Sequence, residues 1–138
     1  MTDPYLFVPT APSADEYMRL RSVSGLSPKS AEQAAPALAN SWRFCHVRAA
    51  STNAAVAMGR VLGDGGWYFH LADMATDPEH QRRGLGRRII EWLIAEIDGH
   101  APPDPYITLM ADEPGRPLYR SLGFVDTAPR SLGMRLPR

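Results

Sequence analysis

The chain has 138 residues, 44% of them hydrophobic, and its 15 Lys+Arg balance 15 Asp+Glu for a formal net charge of +0. That length fits one domain, 1–138, around a single core, and the missing basic excess argues against a nucleic-acid partner. Cys45 is the only cysteine, so no intrachain disulfide or cysteine metal cluster can form; no run approaches about 18 apolar residues, and no charged-then-apolar leader opens the chain, so no membrane partner is expected and cytoplasm is the default compartment.

Leu6-Phe7-Val8, between Pro4 and Pro9, reads as an edge strand. Ser13 with Glu16 forms a capping-box pattern and predicts a helix from Ala14 to about Ser22. Ser30 with Gln33 repeats that signal for a second short helix, which Pro36 should kink or shorten. Trp42–Ala49, Ala54–Leu62 and Tyr68–Thr76 read as three strands. Short turn-forming separators join them, so an antiparallel meander is expected. Leu85–Ile97 has the spacing of an amphipathic helix, with Ile89, Ile90, Leu93, Ile94 and Ile97 inside an arc of roughly 140°. Tyr106–Met110 then predicts a strand, parallel to Tyr68–Thr76 because a helix crosses between them. Pro117–Leu122 reads as a short helix, and Phe124-Val125 and Gly133–Leu136 as the last strands.

Between the third strand and the long helix lies Asp77-Pro78-Glu79-His80-Gln81-Arg82-Arg83-Gly84-Leu85-Gly86-Arg87-Arg88. A helix start offers unpaired N–H groups and a partial positive charge, and glycines there let an anion approach the backbone. With four arginines added, the stretch predicts a site for a phosphate-bearing ligand. A nucleotide-triphosphate loop would need Gly-Lys-Ser/Thr, but Arg87-Arg88 follows Gly86. A dinucleotide fingerprint would need a third glycine where Ile89 stands. What remains is Gln-x-x-Gly-x-Gly after a strand, opening a helix.

This pattern resembles the GCN5-related N-acetyltransferase superfamily, whose members carry Arg/Gln-x-x-Gly-x-Gly/Ala between the fourth strand and the next helix. Gln81-Arg82-Arg83-Gly84-Leu85-Gly86 matches it, with Met74-Ala75-Thr76-Asp77-Pro78 as matching context. Downstream, Leu118-Tyr119-Arg120-Ser121-Leu122-Gly123-Phe124 matches the family's short helix with an aromatic before a Leu-Gly-Phe turn. The resemblance covers about residues 42 to 126. It implies an α/β (α+β) fold: a mixed, mostly antiparallel sheet of six to seven strands with a central strand–helix–strand crossover and flanking helices. It further implies acetyl-coenzyme A as co-substrate, without a metal. Gln81, Arg82, Arg83, Gly84, Leu85, Gly86 and Arg87 would form the loop around the pyrophosphate. Met74, Ala75 and Thr76 would lie along the pantetheine arm, Met74 and Thr76 bonding it through main-chain groups. Many relatives place an asparagine shortly before the aromatic; Ala111–Arg116 has none, and Asp112 is the residue available in its place.

Tyr119 occupies the position of the family's general acid. A phenol, with a reference pKa of about 10, can give a proton to a departing thiolate, at about 8.5, while staying protonated at neutral pH. For the base, Asp73 is the one acid within the third strand of the meander, and alternation groups it with Phe69, Leu71 and Ala75. The other reading of Asp73 is a carboxylate that bonds nearby backbone. His70 is a substitute base, ahead of His46 and His80. Cys45 reads as a buried thiol. Trp42, Trp67, Tyr68 and Phe69 would give an acceptor face aromatic character, which favours a small-molecule amine. The expectation is therefore an N-acetyltransferase that works by direct transfer in a ternary complex, as a homodimer if it follows many relatives. The alternative is a non-catalytic acyl-coenzyme A sensor on the same fold, which would have no need of Tyr119.

Overall fold

Two capping boxes open the helical part of the chain. Ser13 Oγ accepts from the Glu16 N–H while the Ser13 N–H donates to Glu16 Oε1, starting helix α1 at Ala14–Val23. Ser30 and Gln33 do the same for α2, Ala31–Asn40. Pro36 lies inside α2 without ending it. The computed structural model describes residues 3–138.

The strands are β1 (Tyr5–Val8), β2 (Arg43–Ala49), β3 (Ala55–Gly63), β4 (Tyr68–Thr76) and β5 (Tyr106–Leu109), in sheet order β1-β2-β3-β4-β5. The first four pair antiparallel. The long helix α3, Leu85–His100, follows β4, and a short α4 spans Arg116–Ser121. Among the described residues no helix is long and apolar enough to cross a membrane.

The chain divides into two compact units, one ending at Thr108 and the other running Leu109–Arg138. In the first, α3 packs against β2, β3 and β4, burying Leu85, Ile89, Ile90, Leu93 and Ile97. Helix α1 packs against β3, β4 and α2. There Tyr17, Leu20, Ala34, Phe44, Ala55, Met58 and Ala75 form one apolar cluster.

One irregularity positions everything that follows. Met58 pairs with Ala75 and Arg60 with Ala72, so two residues of β4, Asp73 and Met74, stand opposite Gly59 alone. This is a β-bulge, and such bulges re-aim side chains. Asp73 takes a left-handed backbone, φ 54°. A Cβ at Gly59 would stand 2.5 Å from Met74 Sδ and 2.7 Å from Ile89 Cγ2, so Met74 fills the space that glycine leaves under α3. Simple alternation would put Asp73, Phe69, Leu71 and Ala75 on one face. The bulge breaks that phase: Ala75 joins the α1 cluster, whereas Phe69 pairs with Gly63 and Leu71 with Val61, in phase with Gly59 on the α3 side.

The second unit corrects the expected strand count. Five strands are present among the described residues, not six to seven; neither Phe124-Val125 nor Gly133–Leu136 is a strand. Both runs are short, the first between Gly123 and Asp126 and the second stopped by Pro137, and a strand needs a bonded neighbour to persist. Leu132, Met134 and Leu136 are 72%, 87% and 73% exposed, so no sheet face covers them. Within this unit Tyr119 packs edge-on against Phe124, ring centroids 6.1 Å apart, and Gly115 leaves room for its ring.

Candidate functional site

Strand β4 ends at Thr76, and the chain turns through Pro78–His80, capped by Asp77, whose Oδ1 accepts from the Glu79 N–H at 3.0 Å. Asp77 is buried, which disfavours its charge. The Arg19 guanidinium at 2.7 Å and the Glu79 N–H outweigh that, so its carboxyl lies below the usual range. Gln81 Nε2 donates to the Thr76 carbonyl at 3.3 Å, closing the loop onto the strand end. Arg82 and Gly84 both adopt left-handed backbone, φ 63° and 78°.

Helix α3 therefore begins on a glycine in the left-handed region, with no capping side chain and no acidic residue in its first turn. A side chain there would project into open space, since a Cβ at Gly84 meets nothing within 4 Å. Helices α1 and α2 satisfy their first N–H groups themselves; α3 leaves that task undone. The uncapped N–H groups and the dipole give this end a positive potential.

The arginines differ in what already holds them. Arg83 donates to the Tyr5 hydroxyl at 3.1 Å, and that hydroxyl meets His80 Nδ1 at 2.8 Å. Arg88 pairs with Asp3 at 3.2 Å and stacks over Phe7. Arg87 pairs with Glu91 one turn on. Arg82 is exposed, and its guanidinium has no partner among the described residues. Gln81, Arg82, Arg83, Gly84, Leu85, Gly86 and Arg87 thus lie around one helix start, with Arg82 carrying the uncommitted charge.

Asp73 sits elsewhere in function. Its side chain is 5% exposed, and its Oδ1 accepts from Arg21 while its Oδ2 accepts from Tyr17 Oη at 2.5 Å and Arg60 Nε at 2.6 Å. Arg21 is itself anchored on Ser27 through Nε and Nη2, and Arg60 on Ser41. To take a proton from a substrate, Asp73 would have to release a charge-assisted donor in a buried place. The geometry makes it a tie between the β4 bulge and α1. Sequence alternation missed this because nothing in β4 announces the bulge except Gly59 on the opposite strand.

His70 holds a different position. It is half-buried on β4, and its Nδ1 lies 2.9 Å from Thr108 Oγ1. Thr108 Oγ1 also lies 3.3 Å from the Phe69 carbonyl, to which its hydroxyl can donate. With that bond made its oxygen can only accept, which would put the His70 proton on Nδ1 and leave a lone pair on Nε2. Burial and then the positive charge of Arg60 keep the ring below the ordinary histidine range. His46, buried, donates from Nδ1 to Thr10 O at 2.7 Å and faces Arg48 with Nε2; it is a structural histidine.

The aromatics divide as well. Phe69 is buried, and Trp42 packs on it at 4.9 Å. Trp67 and Tyr68 are exposed and join Tyr106 in a group of three rings, centroids 5.3 to 6.5 Å apart. Cys45 is fully buried, and burial pushes its thiol up to about 12. In the second unit, burial and then the charge of Asp112 raise the Tyr119 phenol, so it is protonated at neutral pH. No group of His, Cys, Asp and Glu among the described residues could hold a metal ion.

A sheet crossed by one long helix, with an uncapped glycine-arginine start to that helix after β4, defines a class. The acetyltransferase (GNAT) domain model matches residues 42–126, and the chain belongs to that family. Among solved structures, a probable acetyltransferase of unknown function from meticillin-resistant Staphylococcus aureus is 31% identical, covering 97% of this chain and 99% of that one, with a TM-score of 0.90. Glucosamine-6-phosphate N-acetyltransferase from Arabidopsis thaliana is 14% identical over 98% of this chain and 99% of its own, with a TM-score of 0.71, which is a likeness of fold alone. Among curated proteins, the [ribosomal protein bS18]-alanine N-acetyltransferase of Escherichia coli (strain K12) is 36% identical over 72 residues. That match covers 51% of this chain and 47% of the relative, so the chain spans about half the length of the curated relatives it matches.

Proposed function

We propose that this protein is a cytoplasmic acetyl-coenzyme A-dependent N-acetyltransferase that acetylates the primary amine of a small molecule by direct transfer in a ternary complex. The observation that carries the reading is the start of α3: no side-chain cap, no acid, a left-handed Gly84 opening onto free space, and an unpartnered Arg82 beside it. These features fit a pyrophosphate, which accepts from several N–H groups and carries the charge that the dipole and Arg82 favour. The co-substrate would supply an acetyl thioester, whose carbonyl carbon is the electrophile.

The residues of the chain have separate tasks. The N–H groups from Arg82 to Arg87 hold the pyrophosphate, with Gly84 and Gly86 keeping the approach clear. Main-chain groups of Met74, Ala75 and Thr76 hold the pantetheine arm as an added strand would. Tyr119 gives its phenolic proton to the leaving thiolate, and its raised pKa keeps that proton available at neutral pH. The exposed rings of Trp67, Tyr68 and Tyr106 support a small amine with an apolar body. Buried Cys45 makes an acetyl-enzyme through that thiol unattractive, which supports direct attack by the amine.

Calorimetric titration with acetyl-coenzyme A, alongside Gly84→Glu, tests the reading. Micromolar binding that the glutamate abolishes is the expected result. Folded protein that binds nothing overturns it. Binding without thiol release across a panel of amines, unchanged in Tyr119→Phe, would instead leave the non-catalytic sensor.

A further inference from the structure

We propose that His70 is the general base of the reaction, taking the acceptor's proton on Nε2, and that Thr108 is the residue that positions it. The inference rests on the acetyltransferase reading and deepens it.

Geometry and elimination lead to the same ring. Asp73, the acid nearest in sequence, has both oxygens engaged by Arg21, Arg60 and Tyr17. His46 has both nitrogens engaged, by Thr10 and Arg48. His80 meets the Tyr5 hydroxyl through Nδ1, beside the phosphate loop. His70 and His80 each have one ring nitrogen engaged and the other without a hydrogen-bond partner among the described residues, but His80 lies on the turn after β4, whereas His70 lies on β4 itself. With its hydrogen assigned to the Phe69 carbonyl, Thr108 Oγ1 accepts from His70. That contact sets the tautomer and the ring plane together, as the orienting partner of a base must.

Its place along the strand suits the task. An arm that enters from the loop after Thr76 and runs back beside Thr76 and Met74 carries its acyl end toward Ala72 and His70. The distance from Thr76 to His70 is roughly 20 Å of extended strand, slightly less across the bulge. Arg60, paired across the ladder with Ala72, is the charged group facing His70 from β3, while Thr108 from β5 is neutral. A neighbouring cation and partial burial both disfavour the imidazolium, so the ring stands ready as an acceptor.

The step balances. One proton of the acceptor ammonium passes to His70 Nε2, and the freed lone pair attacks the thioester carbonyl carbon. The C–N bond forms and the C–S bond breaks, with its electron pair on sulfur. The thiolate takes a proton from the acid, the attacking nitrogen gives up its second proton to restore that acid through solvent, and the imidazolium returns its own to solvent, so no oxidant or further reactant is required.

Two measurements on the full chain decide it. Long-range proton–nitrogen NMR of the ligand-free protein should show His70 as the Nδ1–H tautomer with a titration midpoint below about 6.5, the ordinary histidine value. Thr108→Val should move it to a tautomer mixture. An Nε2–H tautomer overturns the proposal whatever the acceptor. With benzylamine as surrogate acceptor and thiol release as readout, His70→Ala should lose about 100-fold in kcat/KM and the acid limb of its pH profile, within the usual range for a general base. Added imidazole should restore part of the rate to His70→Ala but none to Tyr119→Phe. Undiminished kcat/KM in His70→Ala, with acetyl-coenzyme A still bound, sinks the base assignment alone. Failure of calorimetric binding by the wild-type protein sinks the underlying reading instead.

Discussion

Arg21 and Arg60 close on one buried carboxylate, whereas Arg82, Arg83, Arg87 and Arg88 ring the open start of α3. The first pair has its donors placed on Asp73, Ser27 and Ser41. Of the second set, three lean on Tyr5, Glu91 or Asp3, and Arg82 leans on nothing among the described residues. A guanidinium in the interior must be matched by the chain itself. One at a helix start can be left for a ligand. The difference separates residues that hold the sheet to α1 from residues whose charge the fold leaves at its surface.

Removing the shared carboxylate should do the most damage. Asp73→Ala leaves two buried guanidiniums facing each other and should cost about 3–5 kcal/mol of stability. Urea unfolding would show it as a lower midpoint at an unchanged slope. Wild-type stability with lost turnover would reverse the assignment and make Asp73 catalytic. Next comes Gly59→Ala, which places a methyl against Met74 and Ile89. Met74 can swing, but Ile89 is β-branched and fully buried, so a loss of about 1–3 kcal/mol is expected. An unperturbed midpoint would mean that the bulge does not depend on that glycine.

The exposed set gives a smaller effect of another kind. Arg82→Ala should leave stability within about 0.5 kcal/mol yet weaken acetyl-coenzyme A by about tenfold, the scale of one charge-assisted hydrogen bond. Arg88→Ala, whose charge already pairs with Asp3, should weaken it far less. Calorimetry at two salt concentrations would check both. Equal losses would show that the loop acts as a diffuse positive field rather than through one free side chain.

Much of this was legible in the sequence, for physical reasons particular to each element. Ser13 with Glu16 and Ser30 with Gln33 announced two helices because capping boxes are local devices, and both boxes form. β4 was bounded correctly at Tyr68–Thr76, and the helix start at Leu85 followed from the Gly84 punctuation. The bulge was not legible, because it arises from packing of Gly59 across two elements rather than from any signal in β4. With it went the environment of Asp73, whose partners Tyr17, Arg21 and Arg60 lie 13 to 56 positions away. The tautomer of His70 depends on Thr108, 38 positions on. The last two strands failed because runs as short as Phe124-Val125 carry pattern without a partner. The motif around Gly84 marked the uncapped start of α3, but only the structure separated Arg82 from its tethered neighbours.

Arg48 lies between the two extremes and supplies the finest test. It is half-exposed and grips Glu16 through two bonds, 3.2 and 2.6 Å, while its Nη1 also faces His46 Nε2 at 3.1 Å. The bond to Arg48, against a smaller opposing effect of burial, holds the Glu16 carboxyl at about 2, from an ordinary 4.5. A depressed carboxyl stabilises the fold above the unfolded value and loses that contribution as pH falls through the folded one. The Glu16 contribution is therefore complete above pH 4.5 and gone below about 2. Solvent screening at this half-exposed pair reduces it to about 1 kcal/mol. His46 adds a limb at higher pH. Burial, aided by Arg48, lowers its value, so stability also falls as pH drops below the ordinary 6.5 and the buried ring must charge. Denaturant midpoints measured from pH 7.5 to 2.5 should show both limbs in the wild-type protein. Glu16→Gln should shrink the lower limb, to which Asp77 also contributes, and keep the upper one. Loss of both together would mean that the three groups titrate as one unit, and the pair would then belong with the buried arginines rather than between the two sets.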